Sequence, residues 1–150
     1  MQRAEQLIAR AREATGLSDF GDERFREGLE RLVASVDAEA RLTPMGAAAF
    51  DMQIVDTLSN RLQVEAAYAQ WPDIDAEEIV APLIGLGLPR TGSTAFSCML
   101  AEDPAARSIR GWEAMWPCPP PDAATVDSDP HLTKAQAAMD LRAQRFPRMT

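Results

Sequence analysis

The sequence is poor in the residue types on which several common chemistries depend. Its 150 residues include one lysine, one histidine and two cysteines, and aromatic residues make up 6% of the chain. Two cysteines, Cys98 and Cys118, do not make a disulfide framework, and the lone His131 has no partner cluster with metal-ligand spacing. We therefore expect neither a disulfide-stabilised scaffold nor a bound metal.

Long apolar runs are also absent. The longest run, residues 80–88, is interrupted by glycine and proline and is much shorter than the roughly 20 residues that cross a bilayer. Residues 1–12 are charged and have a helical pattern, without the apolar core of a secretory signal peptide. The expectation is a soluble cytoplasmic protein without a transmembrane segment.

Positive charge is scarce in the first part of the chain. The net charge is −8, and residues 1–80 contain 16 acidic residues against eight arginines, whereas residues 81–150 contain seven charges of each sign. An acidic protein is a poor binder of nucleic acid, because a basic surface has to neutralise the phosphates. We therefore expect no nucleic-acid partner, and we expect any anion-binding site in the second part of the chain. The 14 arginines against one lysine indicate a GC-rich bacterial genome.

The residues that are present make an ordinary globular chain, with 46% hydrophobic and 25% charged residues. Apolar residues at three-and-four spacing predict helices over residues 2–15, 22–41 and 44–68. Gly16 is the expected stop of the first helix, and Thr43-Pro44 has the pattern of an N-cap followed by proline at the first helical position. We interpret residues 1–72 as a helical N-terminal region whose apolar stripes pack together, with a partner-binding helical cap as the alternative.

The pattern changes at Ile79. Residues 79–88 form a short, nearly continuous apolar run, which is typical of a strand buried on both faces of a parallel sheet. A turn follows, and residues 93–101 then predict a short helix with apolar side chains such as Phe96 and Met99 facing inward.

Further elements are expected after this helix. Residues 108–110 predict a second short strand, and residues 130–146 predict another helix. The expected fold class is therefore α/β, with a parallel sheet that is incomplete in this chain and is preceded by the helical region.

The turn between the predicted strand and helix carries the clearest chemistry. Gly87-Leu88-Pro89-Arg90-Thr91-Gly92-Ser93-Thr94 has the two-glycine spacing of a loop that cradles phosphate. Backbone N–H groups at the helix N-terminus, together with the threonine and serine hydroxyls, can bind an anion there. In magnesium-triphosphate loops a lysine precedes the final Ser or Thr, whereas this sequence has Ser93 there and Arg90 as the loop's cation. A plain structural turn is the alternative.

The stretch from Leu88 to Thr94, followed by an apolar helix, resembles the 5′-phosphosulfate loop of sulfotransferases. Residues 80–121, which include Trp112-Glu113 and the proline-rich segment 117–120, resemble the bacterial sulfotransferase family more widely. The resemblance implies a P-loop-type α/β fold whose domain starts within residues 79–150. It also implies transfer of a sulfuryl group from 3′-phosphoadenosine 5′-phosphosulfate to a hydroxyl or amine of a small molecule, lipid or glycan, without a metal.

The same resemblance assigns roles to the loop residues. Arg90 would contact the 5′-phosphate and the bridging oxygen, where it would stabilise charge on the leaving phosphate. The residues that the resemblance places at the 5′-phosphate are Pro89, Arg90, Thr91, Gly92, Ser93 and Thr94.

Glu113 is the candidate base that would deprotonate the acceptor. It lies beyond the loop helix, about where several members of the sulfotransferase family place a carboxylate base. The alternative is a structural role, in which Glu113 pairs with Arg107 or Arg110 or caps a turn.

Some parts of the family pattern are not found within the 150 residues. The 3′-phosphate site and most of the parallel sheet would fall beyond residue 150, so we expect an N-terminal fragment that binds the donor weakly and turns over little or nothing. Homo-oligomerisation is left open. Two other functions compete: a P-loop nucleotide kinase or hydrolase, which the missing loop lysine disfavours, and a helical interaction module with a vestigial loop, which would bind no nucleotide.

Overall fold

The computed structural model describes residues 2–88, 91–122 and 124–145. The chain divides into two compact units, Met1–Asp75 and Ala76–Thr150. Within the described residues, no helix combines the length and the hydropathy that crossing a membrane requires.

Three helices make up the first unit: α1 (Gln2–Thr15), α2 (Phe25–Glu39) and α3 (Pro44–Gln70). The predicted helix stop is confirmed, because Gly16 has φ +69° and its N–H donates to the carbonyl oxygen of Arg12 at 2.8 Å. The predicted N-cap is confirmed as well, since the Thr43 hydroxyl accepts from the N–H of Gly46 at 3.1 Å. Local sequence signals therefore set the ends of these helices.

The core of the first unit lies mainly between α1 and α3. Leu7 and Ile8 of α1 and Leu62 of α3 are almost completely buried, and each such side chain contributes about 1.5–3 kcal/mol of burial free energy. The complete cluster comprises Ala4, Leu7, Ile8, Ala11, Phe20, Leu29, Val33, Leu58 and Leu62. The apolar stripes seen in the sequence are packing surfaces, as predicted.

A charged network joins all three helices at the edge of this core. The Arg3 guanidinium of α1 binds Asp51 of α3 with an N–O distance of 2.6 Å and also binds Asp37 of α2. The hydrogen bond that Arg3 donates to Asp51 is the main reason why the pKa of Arg3 lies above its ordinary value. The acidic residues of this region are thus partly used to join helices to one another.

The second unit contains three further helices: α4 (Ser93–Ala101), α5 (Gly111–Met115) and α6 (Pro130–Arg145). Single 3-10 turns occupy Pro72–Ala76, at the boundary of the units, and Val126–Ser128. The predicted helix over residues 93–101 is confirmed with the same bounds. The helix predicted over residues 130–146 is confirmed as far as Arg145.

The two predicted strands do not form in the described part of the second unit, so the sheet of the predicted α/β fold is unconfirmed. Residues 82–88 and 108–110 have no regular secondary structure. A strand becomes stable only when neighbouring strands bind its N–H and C=O groups, and no described residue pairs with either segment.

The apolar side chains of this unit are correspondingly exposed. Leu86 is 95% exposed, Leu83 78% and Ile84 72%. The expectation that Phe96 and Met99 of α4 face inward is wrong for this structure, in which they are 55% and 73% exposed. With no sheet among the described residues, α4 has no apolar layer of described side chains to cover.

Candidate functional site

Gly92 determines how the loop enters α4. It is the N-cap residue of this helix, with φ +85° and ψ +13°, a left-handed conformation that favours glycine. A Cβ atom built on Gly92 meets nothing within 4 Å, so the requirement for glycine here is conformational and not steric. The second glycine of the sequence pattern is thus explained by backbone geometry.

The N-terminus of α4 is built as a donor surface. The first helical hydrogen bond runs from the N–H of Phe96 to the carbonyl oxygen of Gly92 at 3.0 Å. The N–H groups of Ser93, Thr94 and Ala95 precede this ladder and therefore have no partner within the helix. Together with the positive end of the helix dipole, these groups can bind an anion.

The hydroxyl of Thr91 behaves differently from those of Ser93 and Thr94. The Thr91 hydroxyl donates to the carbonyl oxygen of Leu88 at 2.6 Å, so its proton is used within the loop and only its lone pairs remain. The side chains of Ser93 and Thr94 are exposed, and their hydroxyls make no hydrogen bond within the described part of the chain. In this structure Ser93 and Thr94 are therefore the loop residues with a hydroxyl proton to donate.

The predicted cation of the loop cannot be placed. Pro89 and Arg90 lie outside the described residues, and the role of Arg90 at the bridging oxygen stays a prediction.

Glu113 is 8% exposed and lies in the first turn of α5. Its Oε2 accepts from the backbone N–H of Arg110 at 2.7 Å, and its Oε1 lies 3.2 Å from Nη2 of Arg107. These are the cap and the ion pair that the structural alternative describes. Among the described residues, no hydrogen bond or ion pair joins Glu113 to the loop residues 91–94, so its role as a base stays a prediction.

The sequence analysis missed a cluster around His131. The imidazole stacks against two indole rings, with its ring centroid 6.5 Å from that of Trp112 and 6.0 Å from that of Trp116. Lys134 places its Nζ 4.1 Å from the centroid of Trp116. This cluster packs α5 against α6.

Asp129 orients the start of α6 within that cluster. Its Oδ1 accepts from the backbone N–H of His131 at 2.8 Å and also lies 3.2 Å from His131 Nδ1, which makes no hydrogen bond with any described residue. The Asp129-Pro130 pair was the available sequence signal, because an Asp before a Pro is a typical helix start.

No metal site or reactive thiol stands out in the part of the chain that the structure describes. No group of three or more His, Cys, Asp or Glu side chains in that part could hold a metal ion. Cys98 is exposed, and burial raises the pKa of the half-buried Cys118 above its ordinary value. A raised pKa lowers the thiolate fraction, so Cys118 is not an activated nucleophile.

Comparisons with known proteins identify the fold. The chain matches no protein-family model and no curated protein. It does match the crystal structure of a sulfotransferase from Mycobacterium avium, with a TM-score of 0.81 and 33% sequence identity. The match covers 96% of this chain and 36% of that chain, so this chain spans about a third of the sulfotransferase's length. The resemblance that the loop sequence indicated is thereby confirmed: in sequence and in fold, this chain is similar to a portion of a bacterial sulfotransferase.

Proposed function

We propose that this chain supplies the donor-binding loop of a sulfotransferase that uses 3′-phosphoadenosine 5′-phosphosulfate. The observation that carries the proposal is Gly92, whose left-handed conformation starts α4 with three N–H groups outside the helical ladder. The similarity to a sulfotransferase over 96% of the chain supports the same function.

The loop has the chemical groups that a nucleotide 5′-phosphate needs. The N–H groups of Ser93, Thr94 and Ala95, together with the exposed hydroxyls of Ser93 and Thr94, would hold its oxygens. Gly92 has open space where a side chain would stand, so a ligand can approach the backbone closely. The donor, when bound, supplies the sulfuryl group and the leaving phosphate.

In this reaction the loop would have two tasks: to position the donor and to stabilise the charge that develops on its phosphate. As the bond to the sulfuryl group breaks, negative charge grows on the phosphate oxygens that the N–H groups face. Arg90 is assigned to the bridging oxygen, where a guanidinium would stabilise the same charge. A transferring sulfuryl group carries less charge than a phosphoryl group, so a cation and backbone dipoles can suffice without a metal.

Glu113 is assigned to the acceptor. Its carboxylate would take the proton of the attacking hydroxyl or amine. The two contacts seen in the structure orient this carboxylate and leave further lone pairs free to accept a proton, since a carboxylate has about four acceptor positions. A structural role and a catalytic role are therefore compatible for this residue.

The decisive experiment is calorimetric titration of the chain with 3′,5′-adenosine bisphosphate in the absence of metal. We expect weak binding that falls roughly 10- to 100-fold in Arg90→Ala, since a hydrogen bond to a charged group contributes about 1.5–3 kcal/mol. Arg31→Ala is the matched control, because this exposed arginine of α2 pairs, among the described residues, only with the neighbouring Glu27. Its affinity should equal that of the wild type.

The other outcomes separate the competing functions. Magnesium-dependent binding of ATP would favour a P-loop kinase or hydrolase. Absence of any nucleotide binding, with no change on Arg90→Ala, would favour a helical interaction module. Equal affinities of the wild type and Arg90→Ala for the bisphosphate would remove Arg90 from the site.

A further inference from the structure

Glu113 and Arg107 form an ion pair between a buried and an exposed side chain. Nη2 of Arg107 lies 3.2 Å from Oε1 of Glu113. The side chain of Glu113 is 9% exposed, whereas that of Arg107 is 70% exposed. A molecule that reaches this carboxylate from solvent therefore also meets the guanidinium.

Most of the hydrogen-bonding capacity of Arg107 is unused. A guanidinium has five N–H donors in a planar fork, and among the described residues Arg107 donates only to Glu113. Forks of this kind bind carboxylates through two parallel hydrogen bonds. The remaining donors of Arg107 are thus suited to an anionic group of a ligand.

The sequence around this pair is positively charged in an otherwise acidic protein. Residues 104–121 contain three charged side chains, Arg107, Arg110 and Glu113, whereas the whole chain has a net charge of −8. Arg110 lies beside the pair, because its backbone N–H donates to Oε2 of Glu113 at 2.7 Å. Its own side chain is exposed and makes no ion pair with a described residue. Two positive groups against one negative group favour the approach of an anion.

Glu113 offers the complementary group. Its carboxylate accepts two hydrogen bonds from described residues and has about four acceptor positions, so a hydroxyl or amine of a ligand can donate to it. A ligand with a hydroxyl and a carboxylate can therefore bind both residues at once, the hydroxyl to Glu113 and the carboxylate to Arg107. Because the two protein groups are 3.2 Å apart, the two ligand groups have to be close together, as in a 2-hydroxy or 3-hydroxy acid.

We propose that Arg107 is a specificity-determining residue that selects acceptors with a carboxylate close to the reacting hydroxyl or amine. The guanidinium binds the carboxylate of the acceptor and offsets the repulsion that Glu113 would exert on it. A neutral acceptor leaves these donors without a partner and binds less tightly. The inference rests on the proposed function, because it names the acceptor class for the transfer in which Glu113 is the base.

The test is titration of the isotopically labelled chain with 3-hydroxybutyrate and with 3-hydroxybutyramide, its neutral amide, followed by NMR at the backbone amides of residues 107–113. We expect the hydroxy acid to bind roughly 5- to 10-fold more tightly than the amide at low salt, because only the acid is charged. Added salt should reduce this preference, since Arg107 is exposed. Butyrate, which has no hydroxyl to donate to Glu113, should bind roughly 2- to 5-fold more weakly than the hydroxy acid.

Three variants locate the selectivity. Arg107→Gln should bind 3-hydroxybutyrate and its amide with equal affinity. Arg107→Lys should keep part of the preference, because it retains the charge but not the planar fork. Arg110→Gln is the matched control and should keep most of the preference, because it removes the same charge from a guanidinium that makes no ion pair with Glu113. Circular dichroism of each variant reports whether the helices persist.

Four results would overturn the proposal. The first is equal affinity of the wild type for 3-hydroxybutyrate and its amide, and the second is an Arg107→Gln variant with the preference of the wild type. The third is an Arg110→Gln variant that loses as much as Arg107→Gln, since the cause would then be general positive charge. The fourth is butyrate that binds as tightly as the hydroxy acid.

A failure of the proposed function gives a different result. The same samples are titrated with 3′,5′-adenosine bisphosphate. Absence of nucleotide binding, beside a retained preference for the hydroxy acid over its amide, would refute the donor site and leave the selectivity of Arg107 in place.

Discussion

Replacing Gly92 with alanine tests whether the site requires the left-handed backbone conformation of this residue or merely the space that a side chain would fill. At φ +85° an L-residue with a Cβ atom is strained by about 1–2 kcal/mol, and the Cβ of Gly92→Ala would meet no atom within 4 Å. The whole cost is therefore conformational. Relief of the strain would rotate the peptide at the start of α4 and turn its N–H groups away from the anion.

The expected effect is a loss of affinity for 3′,5′-adenosine bisphosphate of roughly 5- to 30-fold, which corresponds to the same 1–2 kcal/mol. Isothermal titration calorimetry measures it, and circular dichroism checks that the helices persist. Gly28→Ala is the matched control, because Gly28 lies inside α2 and its built Cβ also meets nothing within 4 Å. There the change should stabilise the helix by about 0.5–1 kcal/mol and leave nucleotide affinity unaltered.

A Gly92→Asn variant tests whether backbone conformation causes the loss of affinity. Asparagine tolerates the left-handed region better than alanine, so Gly92→Asn should retain more affinity than Gly92→Ala. If Gly92→Ala bound the bisphosphate as tightly as the wild type, the left-handed entry into α4 would have no part in anion binding. If the asparagine and alanine variants lost affinity equally, conformation would not be the cause.

Two further predictions concern Glu113 and the cysteines. In a chimera in which residues 1–150 replace the matched region of the Mycobacterium avium sulfotransferase, Glu113→Gln should lower the rate of sulfuryl transfer roughly 100-fold or more and leave the affinity for the bisphosphate unchanged. The reason is that an amide can still accept from the N–H of Arg110 but cannot take a proton. Unimpaired turnover would leave Glu113 with its structural role alone. At pH 8, iodoacetamide should modify the exposed Cys98 several-fold faster than Cys118, because the raised pKa of Cys118 lowers its thiolate fraction. Equal rates of modification would contradict the burial of Cys118.

The helices of the first unit could be predicted from the sequence because their signals are local. Thr43 caps α3 through a hydrogen bond to Gly46, three residues away, and Gly16 ends α1 through a bond to Arg12, four residues away. The spacing of apolar residues within one helix also indicated which face would be buried. None of these inferences needed knowledge of another part of the chain.

The candidate site was predictable only in part. The turn at Gly92 and the start of α4 follow from the glycine and from the helical pattern after it. The hydrogen bond from the Thr91 hydroxyl to the carbonyl oxygen of Leu88 could not be predicted from the sequence, because it depends on how the loop folds back on itself. The cluster of His131 with Trp112 and Trp116 depends on the packing of α5 against α6.

By itself, the sequence determined the helix ends, the buried faces of the first unit and the turn before α4, and it indicated the resemblance to sulfotransferases. These features depend on φ preferences, capping and periodicity over a few residues. Only the tertiary structure decided that residues 79–88 form no strand here and that Glu113 is held by Arg107 and Arg110. The physical reason is that a strand is stabilised by hydrogen bonds to its neighbours, and a carboxylate is held by whichever donors the fold brings to it.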